Sequence, residues 1–135
     1  CGRRASPVCL TSVTNPVTVQ RLGGAAMFIG ATTMWFASGF GWLPFVLLLF
    51  AFDLFMLGYL AGPRVGAAVY NLGHGLTLPG LAAAAYALTG IDWVLALTCL
   101  WFAHIGIDYA FGYGLKHPES FHDTHLGAIG KGRGR

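Results

Sequence analysis

Four apolar runs, each close to the thickness of a bilayer, constrain this chain more than any other feature. They fall at about residues 22–40, 43–61, 65–89 and 93–111. A helix needs about 20 apolar residues to cross the hydrocarbon core, and turn signals separate the runs: Trp42 with Pro44, Gly62-Pro63-Arg64, and Gly90-Ile91-Asp92. The positive charges sort with them. Arg3, Arg4 and Arg21 precede the first run, Arg64 lies between the second and third, and Lys116, Lys131, Arg133 and Arg135 follow the fourth. The loops between runs one and two, and between three and four, hold no Lys or Arg. All eight cations therefore fall on one side, which the positive-inside rule makes cytoplasmic. The expectation is an all-α membrane protein. Its four transmembrane helices form a compact antiparallel bundle, with N- and C-termini cytoplasmic, in the inner (plasma) membrane.

Composition agrees. Hydrophobic residues make up 56% of the chain and charged residues 10%, against about 25% charged in a soluble domain. At 135 residues there is room for one domain. The net charge of +3 reads as topology rather than as a nucleic-acid footprint. Cys1, Cys9 and Cys99 are odd in number and irregular in spacing, which provides neither a disulfide framework nor a zinc knuckle. Residues 1–16 read as a flexible N-terminal arm, 17–116 as the transmembrane domain and 117–135 as a cytoplasmic tail. The Cys-Gly start also has the form of a mature lipoprotein terminus, but Arg3 and Arg4 would then lie on the wrong side of the membrane. Short turns favour antiparallel neighbours. Small residues four apart (Gly62 and Gly66, Gly80 and Ala84, Gly106 and Ala110) favour close helix approach. Pro79 is expected to kink the third span and release a carbonyl near Gly75.

Polar residues interrupt the spans at particular places. Asp53, His74, His104 and Asp108 are ionisable, and Asn71 joins them. Such groups cost roughly 2.5–3.5 kcal/mol each at the bilayer centre and normally pair or line a cavity. At a rise of about 1.5 Å per residue, Asp53, His74 and His104 each lie roughly 14–15 Å from the cytoplasmic ends of their spans. Three helices thus bring a carboxylate and two imidazoles to one level. Asn71 shares a face with His74, and Asp108 with His104, each about one turn nearer the cytoplasm.

Carboxylate and imidazole are the ligands of zinc, manganese or iron, so Asp53, His74 and His104 form the candidate metal set. Asp108 is placed to orient His104 or to act as a base. His125, in the tail, is a second candidate catalytic group. Tyr70, one turn before His74, joins Asn71 and Lys116 as candidate substrate contacts. The same residues fit a pair of haem ligands or a proton relay. They also fit polar contacts that merely hold helices together. Tyr59 and Tyr113 fit an interfacial aromatic belt. In the tail, His117 and His122 read as solvated, while Phe121, Thr124 and Leu126 can fold back under the bundle.

Four segments together resemble a bacterial membrane family catalogued as domain of unknown function 4260. They are Asp53-x2-Met56-Leu57-Gly58-Tyr59 with Gly62, and Tyr70-Asn71-x2-His74 with Pro79. Then come His104-Ile105-Gly106-x-Asp108-x3-Gly112-Tyr113-Gly114-Leu115-Lys116 and Phe121-x2-Thr124-His125-Leu126-Gly127. The resemblance spans about residues 20–130. It implies that Asp53, Asn71, His74, His104, Asp108 and His125 belong to one set, and it implies no activity. Where the family carries Arg after the Asp of the third segment, this chain has Tyr109. A shorter similarity, His104-x3-Asp108 with Tyr113-Gly114, points to small membrane-bound metal-dependent hydrolases.

Three functions stay open on these residues. One is a metal-dependent hydrolase acting on a lipid, amphiphile or other small molecule. The second is a proton-coupled carrier or haem-binding redox protein. The third is a structural or accessory membrane protein. The lipid bilayer is the expected partner, nucleic acid is not, and a homo-oligomer stays open.

Overall fold

The computed structural model describes residues 15–128. The arm before residue 15 and the basic end after residue 128 lie outside the described residues, as does the side chain of Phe121.

Helix α1 covers Pro16–Ala37. Asn15 caps it, its side-chain oxygen accepting from the Val17 amide at 2.9 Å, and Pro16 takes the first-turn position where no amide is needed. These two start signals set the helix beginning about one and a half turns before the apolar run. Helix α2 covers Trp42–Leu49 and continues as a 3-10 segment over Phe50–Ala61. Helix α3 covers Pro63–His74, α4 covers Thr77–Thr89 and α5 covers Asp92–Phe111. Two 20-residue stretches, Trp42–Ala61 and Asp92–Phe111, are long and apolar enough to cross a membrane, with mean hydropathies of 2.2 and 1.6.

The third apolar run is not one continuous helix. It breaks after His74, where Gly75 is extended (φ −81°, ψ 157°) and α4 restarts at Thr77. Pro79 explains the position. It has no amide hydrogen for the Gly75 carbonyl, and its ring excludes a helical turn there. The expected kink is thus a full interruption, directly beside His74.

Helix α5 is the axis of the fold. Half of its apolar window is buried, against 11% for Trp42–Ala61, and it packs on α1, α2 and α4. The α1–α5 crossing is a backbone contact. A Cβ at Gly106 would stand 2.6 Å from the Phe28 amide nitrogen, and one at Gly24 would stand 2.7 Å from that of Ala110. Above this crossing Trp35, Phe45, Leu49, Phe52, Leu100 and Ala103 form a buried core. Elsewhere the helices present apolar side chains outward, including Ile29, Leu47, Leu54, Leu60, Leu81 and Leu88. Such large exposed apolar area is what a lipid solvent covers.

After α5 the chain reverses. Gly112 (φ +88°) adopts the left-handed conformation that lets the Tyr113 amide reach the Asp108 carbonyl at 2.8 Å. The tail then forms a three-stranded antiparallel sheet in the order β1-β2-β3, from Lys116–His117, Ser120–Thr124 and Gly127–Ala128. Lys116 pairs with Thr124, and Thr124 with Gly127. The Thr124 hydroxyl donates to the Gly127 carbonyl at 2.7 Å and accepts from the Leu126 amide at 3.2 Å, which ties the second turn.

Candidate metal centre

His74 is the last residue of α3, and His104 lies past the middle of α5. Both are buried, at 1% exposure. Their Nε2 atoms are 3.0 Å apart. His74 Nδ1 lies 3.0 Å from the Tyr70 carbonyl. A carbonyl only accepts, so Nδ1 carries the hydrogen and Nε2 presents its lone pair to the site. On the other ring, Nδ1 of His104 makes no hydrogen bond within ordinary limits among the described residues, and the Leu49 backbone is its neighbour.

Two carboxylates converge on this pair. Asp53 Oδ1 is 3.7 Å from His104 Nε2. Asp108 Oδ2 is 3.6 Å from His74 Nε2 and 3.8 Å from His104 Nε2. One ligand atom from each of Asp53, His74 and His104 fits within a span of 4.8 Å. Ligand atoms about 2.0–2.2 Å from a tetrahedral zinc ion stand roughly 3.3–3.6 Å from one another, so the spacing suits one cation with small adjustment. Asp53 reaches the cluster from the 3-10 segment, and its side chain stays 46% exposed. The site is therefore open on that side and closed on the histidine side.

The surrounding groups hold the rings in place. The Tyr70 ring stacks on the His74 ring, centroids 3.8 Å apart and planes 11° apart. The Tyr70 hydroxyl donates to Asp108 Oδ2 over a long 3.4 Å. Lys116 is buried, with Nζ 5.3 Å from the centre of the Tyr70 ring. Burial pushes its ammonium below the usual lysine range, and Asp108 partly offsets that fall. Phe52 lies against His104 at 5.6 Å and stacks on Trp101 at 5.0 Å. The Trp101 indole donates to the Gly73 carbonyl at 2.6 Å, tying α5 to the end of α3.

The expected site residues thus divide into two groups. Asp53, His74, His104, Asp108 and Tyr70 meet, and Lys116 stands behind Tyr70. Asn71 and His125 engage the backbone of the tail. The Asn71 amide donates to the Lys116 carbonyl at 2.9 Å and accepts from the Lys116 amide at 2.7 Å. His125 Nδ1 accepts from the Leu115 amide at 2.8 Å, while the His125 amide donates to the Leu115 carbonyl at 3.1 Å. The His125 ring also meets Tyr109 edge-on at 5.7 Å. Both residues fasten the chain that carries Lys116. Gly114 follows from this packing, since a Cβ there would stand 2.6 Å from His125 Nδ1. Trp101 and Phe52 were not among the expected residues. Their signal was present, because Trp101 lies three residues before His104 and Phe52 adjoins Asp53, but an aromatic in an apolar span has no mark of its own.

No curated protein and no solved structure matches the chain. The sequence profile of one family matches residues 17–129, which contain every residue of the cluster. The chain belongs to that family, described as Domain of unknown function (DUF4260).

Proposed function

We propose that this protein is a multi-pass inner-membrane enzyme of four spans, with both ends cytoplasmic. In this reading α3 and α4 together make one interrupted span. Asp53, His74 and His104 hold a divalent transition metal (zinc, manganese or iron), and the protein hydrolyses a lipid or amphiphile from the cytoplasmic side. The observation that carries the reading is the convergence of two buried imidazole nitrogens, 3.0 Å apart, with carboxylate oxygens 3.6–3.8 Å away. With His74 Nε2 held as a bare lone pair, a cation between the rings satisfies both nitrogens at once. It also neutralises Asp53, a half-exposed carboxylate on an otherwise apolar helix. A metal with three protein ligands keeps a position for water and lowers its pKa. Asp108, held by the Tyr70 hydroxyl, is placed to take a proton or to orient His104. Lys116 supplies positive charge behind Tyr70 for an anionic substrate group.

A second reading rests on the same 3.0 Å contact. His104 Nε2 can carry a hydrogen and donate it to His74, making the pair a step in a proton relay with Asp53 and Asp108 at its ends. Metal and haem analysis of the detergent-purified chain separates the two. The enzyme reading expects about one transition-metal ion per chain, lost in His74→Ala and His104→Ala. Folded protein that stays metal-free after zinc, manganese and iron are supplied would sink it and leave the relay. A Soret band would instead assign the histidines to haem.

A further inference from the structure

We propose that Trp101 is a positioning residue of the Asp/His centre. Its indole closes a ring of contacts through Phe52, Phe55 and Gly73 that fixes the three ligand-bearing segments against one another before any ion binds. The metal part of this statement rests on the enzyme reading above, whereas the positioning of the two imidazoles does not.

The ring begins in the 3-10 segment. Residues three apart in a 3-10 helix lie in line along one face, and the burial of this segment follows that period. Leu54, Leu57 and Leu60 point outward. Phe52, Phe55 and Gly58 form a row turned inward. Phe52 is buried, a Cβ on Gly73 would run into the Phe55 ring, and one on Gly58 would meet Val69 of α3. In an α-helix Phe52 and Phe55 would stand about 60° apart around the axis, so the 3-10 winding is what lines them up. Asp53 heads the neighbouring row and lies 3.7 Å from His104 Nε2.

Trp101 on α5 supplies the second link. Its ring stacks on Phe52, centroids 5.0 Å apart and planes 25° apart, while its Nε1 donates to the Gly73 carbonyl at 2.6 Å. That carbonyl needs an outside donor for a local reason. Helix α3 ends at His74 and the backbone is extended at Gly75, so the regular amides of a further turn are missing for its last carbonyls. The Asn71 carbonyl takes the Gly75 amide at 2.8 Å, and the Gly73 carbonyl takes the indole. Gly73 is thus held by Trp101 of α5 and by Phe55 of the 3-10 segment.

Each member of the ring adjoins a ligand. Phe52 precedes Asp53, Gly73 precedes His74, and Trp101 lies about one turn before His104 on the same face of α5. Phe52 also lies against the His104 ring at 5.6 Å. A shift of the indole therefore disturbs the backbone under His74 and the wall of His104 together. The 3.0 Å spacing of the two Nε2 atoms is a distance that neither helix sets alone. Groups of this kind, which orient ligands without touching the ion, decide how far a site is preformed.

The test puts a benzothiophene ring in place of the Trp101 indole, which keeps the shape and the stack on Phe52 and removes only the N–H. Trp101→Phe is the second variant, and Trp93→Phe, at an exposed indole at the start of α5, is the control. Nitrogen NMR of the imidazoles in the metal-free chain reads positioning directly. The His74 Nδ1 hydrogen, held by the Tyr70 carbonyl, is expected to exchange slowly in the wild type and about tenfold faster in both Trp101 variants. Cobalt, as a coloured stand-in for zinc, is expected to bind both variants about 10–100-fold more weakly at kept stoichiometry, with shifted visible bands. A lower melting temperature with wild-type imidazole exchange and wild-type cobalt affinity would mean a merely structural role and overturn the proposal. So would Trp101 variants that behave as the control does. A wild type that binds no metal, but whose Trp101 variants loosen His74, would sink the metal reading and leave the positioning. If Trp101→Phe fails to fold, the benzothiophene isostere decides alone.

Discussion

His74 and His104 are 30 residues apart in sequence, yet their Nε2 atoms stand 3.0 Å apart. The backbone decides which of the two can donate. Because His74 Nδ1 is committed to the Tyr70 carbonyl, only His104 can bring a hydrogen to the contact. Asp108 lies within 3.8 Å of both nitrogens, so its removal reports on the pair. In Asp108→Asn and Tyr70→Phe, zinc is expected to bind about 10–100-fold more weakly while the stoichiometry is kept, as for groups that orient ligands. Competition titration with a chromogenic chelator measures this. Unchanged affinity in both variants would exclude an orienting role for Asp108.

The α1–α5 crossing makes a second prediction. Gly106→Ala puts a Cβ 2.6 Å from the Phe28 amide nitrogen, which is backbone and cannot step aside. A loss of about 1–3 kcal/mol is expected, seen as a lower melting temperature in detergent. Gly30→Ala in α1 meets nothing within 4 Å and is expected to be neutral or mildly stabilising. Equal effects of the two would refute the crossing.

Asn71 offers a third. Its amide both donates to and accepts from the Lys116 backbone, so Asn71→Leu removes two hydrogen bonds worth about 1 kcal/mol each. Hydrogen exchange is expected to accelerate at the Leu115 and Lys116 amides and across Ser120–Thr124, with little change inside α5. Protection that survives the substitution would mean that the sheet holds itself.

Lys116 supplies a pH dependence. Burial lowers its pKa in the folded protein, so between the folded and unfolded values the unfolded chain binds more protons, and stability rises with pH. Thermal melting of the wild type is expected to improve relative to Lys116→Met as pH rises towards the ordinary lysine value of about 10. A difference that stays constant across that range would count against the assignment.

Much of the site was legible in the chain, for an identifiable reason. Charged and polar groups are rare inside apolar runs because hydrocarbon penalises them, so Asp53, His74, His104 and Asp108 stand out without any structure. The rise of an α-helix put three of them near one level on paper, although Asp53 in fact stands on a 3-10 segment, which rises faster. Asn71 and His125 stood out equally, but rarity marks a residue without saying what it bonds. Their partners are backbone groups of Leu115 and Lys116, and backbone carries no side-chain signature. The strands of the tail were invisible for a related reason. They are two to five residues long, too short for an alternating pattern.

By itself, then, the sequence determined the apolar helical character of the chain, the family, and the set of groups able to do chemistry. The first and the last follow from local composition and periodicity, and the family from an ordered set of residue motifs. The tertiary structure decided which ring nitrogens face one another, that α3 ends at His74 instead of running on, and that the tail returns to lay Lys116 behind Tyr70. These depend on contacts between distant segments: the Gly24–Gly106 crossing, the indole of Trp101 on Gly73, and the Asn71 amide on Lys116. Local propensity carries no information about such pairings, because their energy appears only once the helices have met.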